Sequence, residues 1–290
     1  METIPADRGG VRISKERADI LLVKQGLSQS RERAKALIMA GVVYDGVTRI
    51  QKAGEMLSGD KRLRVKENPI PFVGRGGLKL AKALDSFGIC LDGKVVLDIG
   101  ASTGGFTDCA LQRGASRVYA VDVGYGQLDW GLRQDPRVVA MDRTNARFLT
   151  ADSLGGQVDF VTLDVSFISL DKLFPVLPGL MHEQGEGVAL VKPQFEAGRG
   201  QVGKKGVVKD PDIHKQVVGK TMRDAEGAGF VAYALTWSPI KGQQGNIEYL
   251  LWFGLDPAGG LDTGVCNVGR FAGSDGLRVV EAAFEALNGS

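Results

Sequence analysis

The chain has 290 residues, 43% of them hydrophobic and 24% charged, a composition that supplies two domains with real cores and excludes a disordered chain. No apolar run approaches the ~20 residues of a membrane span, and the opening METIPADRGGVRIS lacks the apolar heart of a signal peptide. Three scattered cysteines (Cys90, Cys109, Cys266) without a CxxC, and only two histidines (His182, His214), argue against a disulfide framework or a metal site. The expectation is a soluble protein of a reducing cytoplasm, with both histidines at the surface. The net charge of +2 hides a division: residues 1–79 hold 16 Lys+Arg against 9 Asp+Glu, and the remainder 20 against 25. A basic segment joined to an acidic one points to a polyanion partner on the basic side.

In chain order, residues 17–25 read as a helix closed by Gly26, a residue that adopts the left-handed conformation at a helix end. Ser30 offers an N-cap to SRERAKALIMAG, in which Ala34, Leu37 and Ile38 form the apolar stripe and Gly41 closes the helix. Arg31, Arg33 and Lys35 cover its other side. VVYDGVTRI carries Asp45-Gly46 between two β-rich runs, a hairpin signal, and KRLRV alternates as a half-buried strand does. The segment 66–72, KENPIPF, has two prolines that stiffen an extended connection. The block before it, about 9–66, resembles the alpha-L RNA-binding domain through Arg17, Ser30-Arg31, Ala34, Ile38, Gly41 and Gly46. The resemblance implies that Arg17, Arg31, Arg33 and Lys35 lie against RNA phosphates.

Beyond the 67–72 linker the pattern changes to KVVLDIG, RVYAVDVG, VDFVTLDVS and GVALVKP, with helical stretches between them. Strand–helix alternation predicts a parallel, doubly wound α/β sheet. YALTW and an antiparallel GNIEYLLWF add two later strands. The stretch 257–275 is Gly-rich without periodicity, and 276–287 reads as a last amphipathic helix on Leu277, Val280, Ala283, Phe284 and Leu287.

Asp98, Asp122, Asp164 and Lys192 stand at the ends of the predicted parallel strands, where ligands bind in open α/β sheets. Asp98 opens DIGASTGGFTD, whose glycines let backbone approach a ligand before the next helix. The spacing is neither G-x-G-x-x-G nor a P-loop, and a strand-end aspartate followed by G-x-x-x-G resembles the first motif of S-adenosylmethionine-dependent methyltransferases. Asp122, 24 residues on, is then suited to accept both ribose hydroxyls of the cofactor. No cysteine stands where cytosine-C5 chemistry needs one, and VTLDVSF lacks the proline pair usual in amino-group methylation. A ribose 2′-hydroxyl instead needs its proton removed or its oxygen aligned, which a lysine held by acids can do. Burial and a second cation favour the neutral amine, and neighbouring carboxylates oppose that.

The order Lys79, Asp164, Lys192, Glu248 matches the K-D-K-E tetrad of FtsJ-like 2′-O-ribose methyltransferases. RGGLKL, LDIGASTGGFTDC, VDVGYGQLDWGLRQDPRVV, RTNAR, DVSFISL, LVKPQFEAGRGQVGKKGVV and GNIEYLLW further resemble the hemolysin TlyA family over roughly residues 9–255. That resemblance implies a Rossmann-like methyltransferase domain (73–255, mostly parallel with one antiparallel strand) behind a small α+β RNA-binding domain, acting on cytidine ribose in ribosomal RNA. It also implies catalytic roles for the tetrad, S-adenosylmethionine contacts for Asp98, Gly100, Ser102, Gly104 and Asp122, and an adenine-side contact for Asn145. Gly74 stands where the family often has serine, and the 256–290 tail lies outside the shared region. A membrane-active cytolysin and a non-catalytic ribosome-binding factor are the alternative readings.

Overall fold

The structure is a computed structural model that describes residues 15–28, 30–39, 41–66, 70–198, 200–242, 244–255 and 273–288. The linker residues 67–69 and most of the Gly-rich 257–275 stretch lie outside the described residues. The chain divides into two compact units, Met1–Pro71 and Phe72–Ser290.

In the first unit, β1 (Lys15–Arg17) leads into α1 (Ala18–Lys24), and α2 (Arg31–Met39) precedes β2 (Val43–Asp45), β3 (Thr48–Arg49), β4 (Met56–Ser58) and β5 (Leu63–Val65). β1 pairs antiparallel with β4, and β2 lies between β3 and β5. The two helices bury one face each, Leu21 and Leu22 from α1 and Ala34, Leu37 and Ile38 from α2, against Val43 and Ile50. That burial, at i, i+3, i+4 spacing, is what holds short helices together in water. The Ser30 hydroxyl accepts from the Arg33 N–H at 3.1 Å, the N-cap bond read from the sequence. Gly26 and Gly41 both take positive φ after their helices. The hairpin turn sits one residue later than its dipeptide implies: Asp45 pairs with Thr48, so Gly46, with φ +59, and Val47 are the central residues.

A buried carboxylate organises this unit. Asp19, fully enclosed, accepts from Arg17 through Nε (2.9 Å) and Nη2 (3.1 Å) and from Arg31 Nη2 (3.1 Å). The Arg17 guanidinium, helped by Arg31, holds the Asp19 carboxyl down at about 2 despite its burial. Arg31→Ala would leave part of that charge uncompensated. It should therefore lower the melting temperature of this unit by about 4–8 °C for each kcal/mol lost. Lys35→Ala, on the same helix but away from Asp19, should leave melting unchanged in calorimetry of the full chain.

The second unit opens with α3 (Gly76–Phe87) and then builds one sheet from β6 (Val95–Ile99), β7 (Arg117–Val121), β8 (Val138–Met141), β9 (Val158–Leu163), β10 (Met181–Val191), β11 (Phe230–Trp237) and β12 (Tyr249–Leu255). Helices α4 (Gly105–Gln112), α5 (Trp130–Gln134), α6 (Pro193–Glu196), α7 (Pro211–Gly227) and α8 (Gly273–Asn288) complete it. The strand order is β11-β12-β10-β9-β6-β7-β8, with β12 antiparallel to both neighbours and the β10-to-β8 run parallel. The chain leaves β6 toward β7 on one side and returns to β9 on the other, which opens a crevice at the strands' carboxyl ends. β8 is absent from the sequence reading because its four residues are half-exposed and show no alternation. The core runs from Leu97 and Val161 through Phe174, Phe230 and Phe253 to Val280 and Ala283 of α8.

His214 corrects the expectation of two surface histidines: it is fully buried. Its Nε2 meets the Val208 carbonyl at 2.9 Å and its Nδ1 the Tyr249 hydroxyl at 2.8 Å. A carbonyl only accepts, so Nε2 carries the proton and the tyrosine donates to Nδ1. Burial pushes the His214 pKa down, and Phe284 of α8 packs edge-on against the ring. Among the described residues no helix is long and apolar enough to cross a membrane. Nor does any group of His, Cys, Asp or Glu among them suit a metal ion.

Candidate active site

The loop between β6 and α4 is shaped by what cannot fit. Gly100 has φ +86, and a Cβ there would stand 2.6 Å from the Asp164 carbonyl oxygen. Gly104 has φ +95, and its Cβ would meet Leu128 Cδ1 at 2.7 Å and collide with Leu132. Only glycine satisfies both the dihedral and the space at these positions. Between them Ser102 holds φ +48 and is exposed. Its N–H donates to Asp122 Oδ2 at 2.8 Å, while the Gly124 N–H donates to Oδ1 at 2.7 Å. Asp122 is half-buried beside this loop, and each of its oxygens keeps capacity for a further donor. Asn145 lies one residue beyond Thr144, whose N–H binds the Asp122 carbonyl at 2.9 Å. The Asn145 side chain is exposed and accepts from the Arg147 N–H at 3.1 Å. Val123 and Phe148 present bare apolar surface beside these groups, at 73% and 76% exposure. Gly74 faces the same loop, and a side chain there would approach Thr103 Oγ1 at 2.9 Å, so serine at this position requires Thr103 to turn away.

Asp98 behaves differently from the open-edge residue that the sequence implies. It sits within β6, is fully buried, and accepts from Thr107 Oγ1 (2.7 Å) and Thr162 Oγ1 (2.8 Å). It ties the glycine loop's helix to β9, and a bound molecule has no direct route to it.

The other charged residues are gathered where the parallel strands end. Lys192 follows β10 and is buried, with Nζ 2.7 Å from Asp164 Oδ1 and 3.0 Å from Ser166 Oγ. Pro193 explains the position: it starts α6, so the chain leaves the sheet at Lys192. Lys79, on α3, has Nζ 2.6 Å from Glu248 Oε2, and both are buried. β10 and β12 are in register through Val191↔Tyr249, which sets Lys192 and Glu248 at the next step of adjoining strands. Gln194 Nε2 donates to Glu248 Oε1 at 3.2 Å. α3 reaches the same edge, because Gly76 lies so near Asp164 that a Cβ would be 3.7 Å from Oδ2. The arrangement is one buried lysine–carboxylate pair, Lys79–Glu248, and one between the buried Lys192 and the half-buried Asp164, and loss of either carboxylate strands a buried ammonium.

Sequence reasoning missed Phe167 and Glu196. Phe167 is 91% exposed, at φ +65, with its ring 5.1 Å from that of Phe195. The available signal was an aromatic in DVSFISL, directly after a strand end, where a loop residue is ordinarily polar. Of the candidate RNA contacts, Arg17 and Arg31 hold Asp19, and Arg33 and Lys35 are half-buried on α2.

Burial pushes the Asp98 carboxyl up to about 6, with the threonine hydroxyls opposing and the Asp164 charge adding to the rise. The folded state therefore holds this proton more tightly than the unfolded chain does, and stability falls as pH rises from about 4 to about 6. The full effect is roughly 3 kcal/mol. Asp98→Asn should remove that slope, so the melting temperatures of wild type and variant should diverge in the variant's favour across this window.

An FtsJ-like methyltransferase family model matches residues 72–255. A Bacillus subtilis protein named as a candidate rRNA methyltransferase, YqxC, is 54% identical over 82% of this chain and 85% of its own length. The 16S/23S rRNA (cytidine-2′-O)-methyltransferase TlyA of Mycobacterium tuberculosis is 47% identical over 81% of this chain and 88% of its own. The solved structure of a candidate hemolysin from Streptococcus thermophilus superimposes with a TM-score of 0.74 at 41% identity, covering 96% of this chain and 98% of that one. With the glycine loop and the paired lysines and acids standing in one FtsJ-like sheet, the chain belongs to the FtsJ-like methyltransferases and, within them, to the TlyA family.

Proposed function

We propose that this enzyme transfers a methyl group from S-adenosylmethionine to the 2′-hydroxyl of a cytidine ribose in ribosomal RNA. The observation that carries the reading is the two ion pairs of buried lysines, Lys192–Asp164 and Lys79–Glu248, at the carboxyl edge of the sheet. The reaction named for the Mycobacterium tuberculosis relative supports the choice of nucleoside. A membrane-active cytolysin has no specific observation in its favour.

The residues present fit the cofactor. The 100–104 loop offers backbone that no Cβ obstructs, Asp122 keeps acceptor capacity, and Val123 and Phe148 offer apolar faces to a flat ring. Gly100, Ser102, Gly104 and Asp122 would hold it, with Asn145 on the adenine side and Asp98 acting through Thr107 and Thr162 rather than by contact. When bound, it supplies a sulfonium methyl group as the electrophile.

The protein's own part is to make a weak nucleophile ready. Lys192 Nζ has three hydrogen-bonding positions; Asp164 and Ser166 occupy two, which leaves one for the target hydroxyl. As the free amine it takes the hydroxyl proton on its lone pair, and as the ammonium it donates to the oxygen and aligns it for in-line attack. Lys79 and Glu248, fixed further by Gln194, keep the neighbouring charge balanced in the low-dielectric cleft. Phe167 offers an exposed ring next to Phe195, over which the Lys192 ammonium lies at 5.8 Å, and an unstacked base can lie on it. The unit before Phe72 supplies the grip on RNA backbone, through Arg33 and Lys35 together with the outer faces of Arg17 and Arg31.

Incubation with labelled S-adenosylmethionine and isolated ribosomal subunits, followed by mapping of the modified ribose, tests the reading; label on a base, or none, rejects it. Lys192→Met keeps the apolar stem and should lower single-turnover transfer by roughly 10²–10⁴-fold. Lys192→Arg should fail nearly as badly if proton removal is the lysine's task, since guanidinium stays charged; near-normal turnover would assign it a purely electrostatic role. A chain beginning at Phe72 should retain cofactor binding in calorimetry and lose most affinity for ribosomal RNA. Binding by the full chain should weaken steeply with added salt, and equal affinity of the two chains would remove the N-terminal unit from recognition.

A further inference from the structure

Two short segments carry the chemistry of this cleft: residues 164–170 after β9 and residues 192–196 after β10. They are fastened along their whole length. Lys192 binds Asp164 and Ser166, Phe195 packs on Phe167, and Glu196 closes the far end. Glu196 Oε2 accepts from the Ser169 hydroxyl at 2.5 Å, and Oε1 accepts from the Leu170 N–H at 2.8 Å. Leu170 opens a 3₁₀ turn, Leu170–Lys172, that has no cap from its own N-cap side chain. A buried carboxylate from another segment supplies that cap instead.

The loop between these fastenings is under strain. Phe167 holds φ +65, a region that phenylalanine rarely adopts, and its ring is left almost wholly in solvent. Such a conformation persists only when its surroundings over-determine it. The Leu170 side chain anchors one end of this loop in the core. The carboxylate of Glu196 fixes the Ser169 hydroxyl and the Leu170 N–H, and so sets the direction in which residues 165–169 leave that anchor.

We propose that Glu196 is a positioning residue that holds the 165–170 loop in the conformation presenting Phe167 and Ser166 to the reaction. It touches neither the lysine Nζ nor the exposed ring; it acts by fixing the backbone that carries them. The inference rests on the functional reading above for its consequence, and on the loop geometry alone for the fastening itself.

Two readouts separate these. Hydrogen exchange on the full chain reads the fastening: Glu196→Ala removes the acceptor of the Leu170 amide, so exchange in residues 165–172 should accelerate by roughly tenfold or more. Peptides from β9 and α7 should keep their rates. Single-turnover methyl transfer to ribosomal subunits reads the consequence. It should fall by about tenfold, the loss expected when a positioned group drifts, while cofactor affinity in calorimetry stays unchanged. Glu196→Gln retains one acceptor and should lie between alanine and wild type in both measurements; it also decides the matter if the alanine variant does not fold. Unchanged exchange in 165–172 overturns the fastening. Accelerated exchange with wild-type transfer overturns the positioning role. An inactive wild type overturns the functional reading instead, and the exchange result then upholds or overturns the fastening by itself.

Discussion

An ammonium group buried at the end of a strand is tolerable only when a carboxylate is delivered to it, and this requirement governs the catalytic unit. Lys192 leaves the sheet under the control of Pro193, and Asp164 reaches it from the neighbouring parallel strand. Lys79 comes from a helix nearly 170 residues away in sequence from Glu248, and the two meet at 2.6 Å. Buried ion pairs contribute little net stability, because desolvation offsets most of their attraction. Stability alone thus gives no account of their place at the carboxyl edge of the sheet, and the proposed chemistry does. Placing four ionisable side chains there requires the reversal of strand order beside β6 and the single antiparallel strand β12 that brings Glu248 up against the end of β10.

A second constraint is the close approach of backbones. Gly100 packs on the Asp164 carbonyl and Gly104 on two leucines, so the loop after β6 presses into space that any side chain would fill. Asp98 keeps that loop in place from beneath by joining Thr107 of α4 to Thr162 of β9. The carboxylate is held in a site that disfavours its charge, which stores a pH-dependent penalty under the glycine loop. Asp122, by contrast, stays at the edge, where two backbone N–H groups orient it and solvent reaches it. Two aspartates that look equivalent in a motif thus do different work, because one lies inside its strand and the other just past the end.

The same economy appears in the N-terminal unit. Two of the arginines that the resemblance assigns to RNA phosphates neutralise Asp19, which the fold buries at the start of α1. A guanidinium has five N–H groups in a planar fork, so it can hold a carboxylate on one edge and still offer another outward. Arg17 and Arg31 therefore carry a structural duty that Lys35 does not share, and the proposed hold on RNA would fall on residues that also stabilise the unit.

Much of this was legible in the sequence. Apolar periodicity gave α2 and α8, a closing glycine marked α1, four of the parallel strands announced themselves as apolar runs, and glycines and prolines marked where chains turn, because these signals depend on neighbours within a few residues. Asp164 and Lys192 could be named for the same reason, since each follows a recognisable strand, whereas Lys79 and Glu248 were legible only through the resemblance to the K-D-K-E order. What the sequence could not hold was pairing. Which lysine meets which acid, that Asp98 faces two threonines, that His214 lies in the core on Tyr249, and that Arg17 and Arg31 close on Asp19 are all facts of register and helix packing between distant segments. The exposed, strained Phe167 and the carboxylate of Glu196 beneath its loop belong to the same class. Local sequence determines which chemistry is carried on each element, and only the tertiary structure decides which groups share a few ångströms of low-dielectric space, because that depends on how strands order themselves in the sheet.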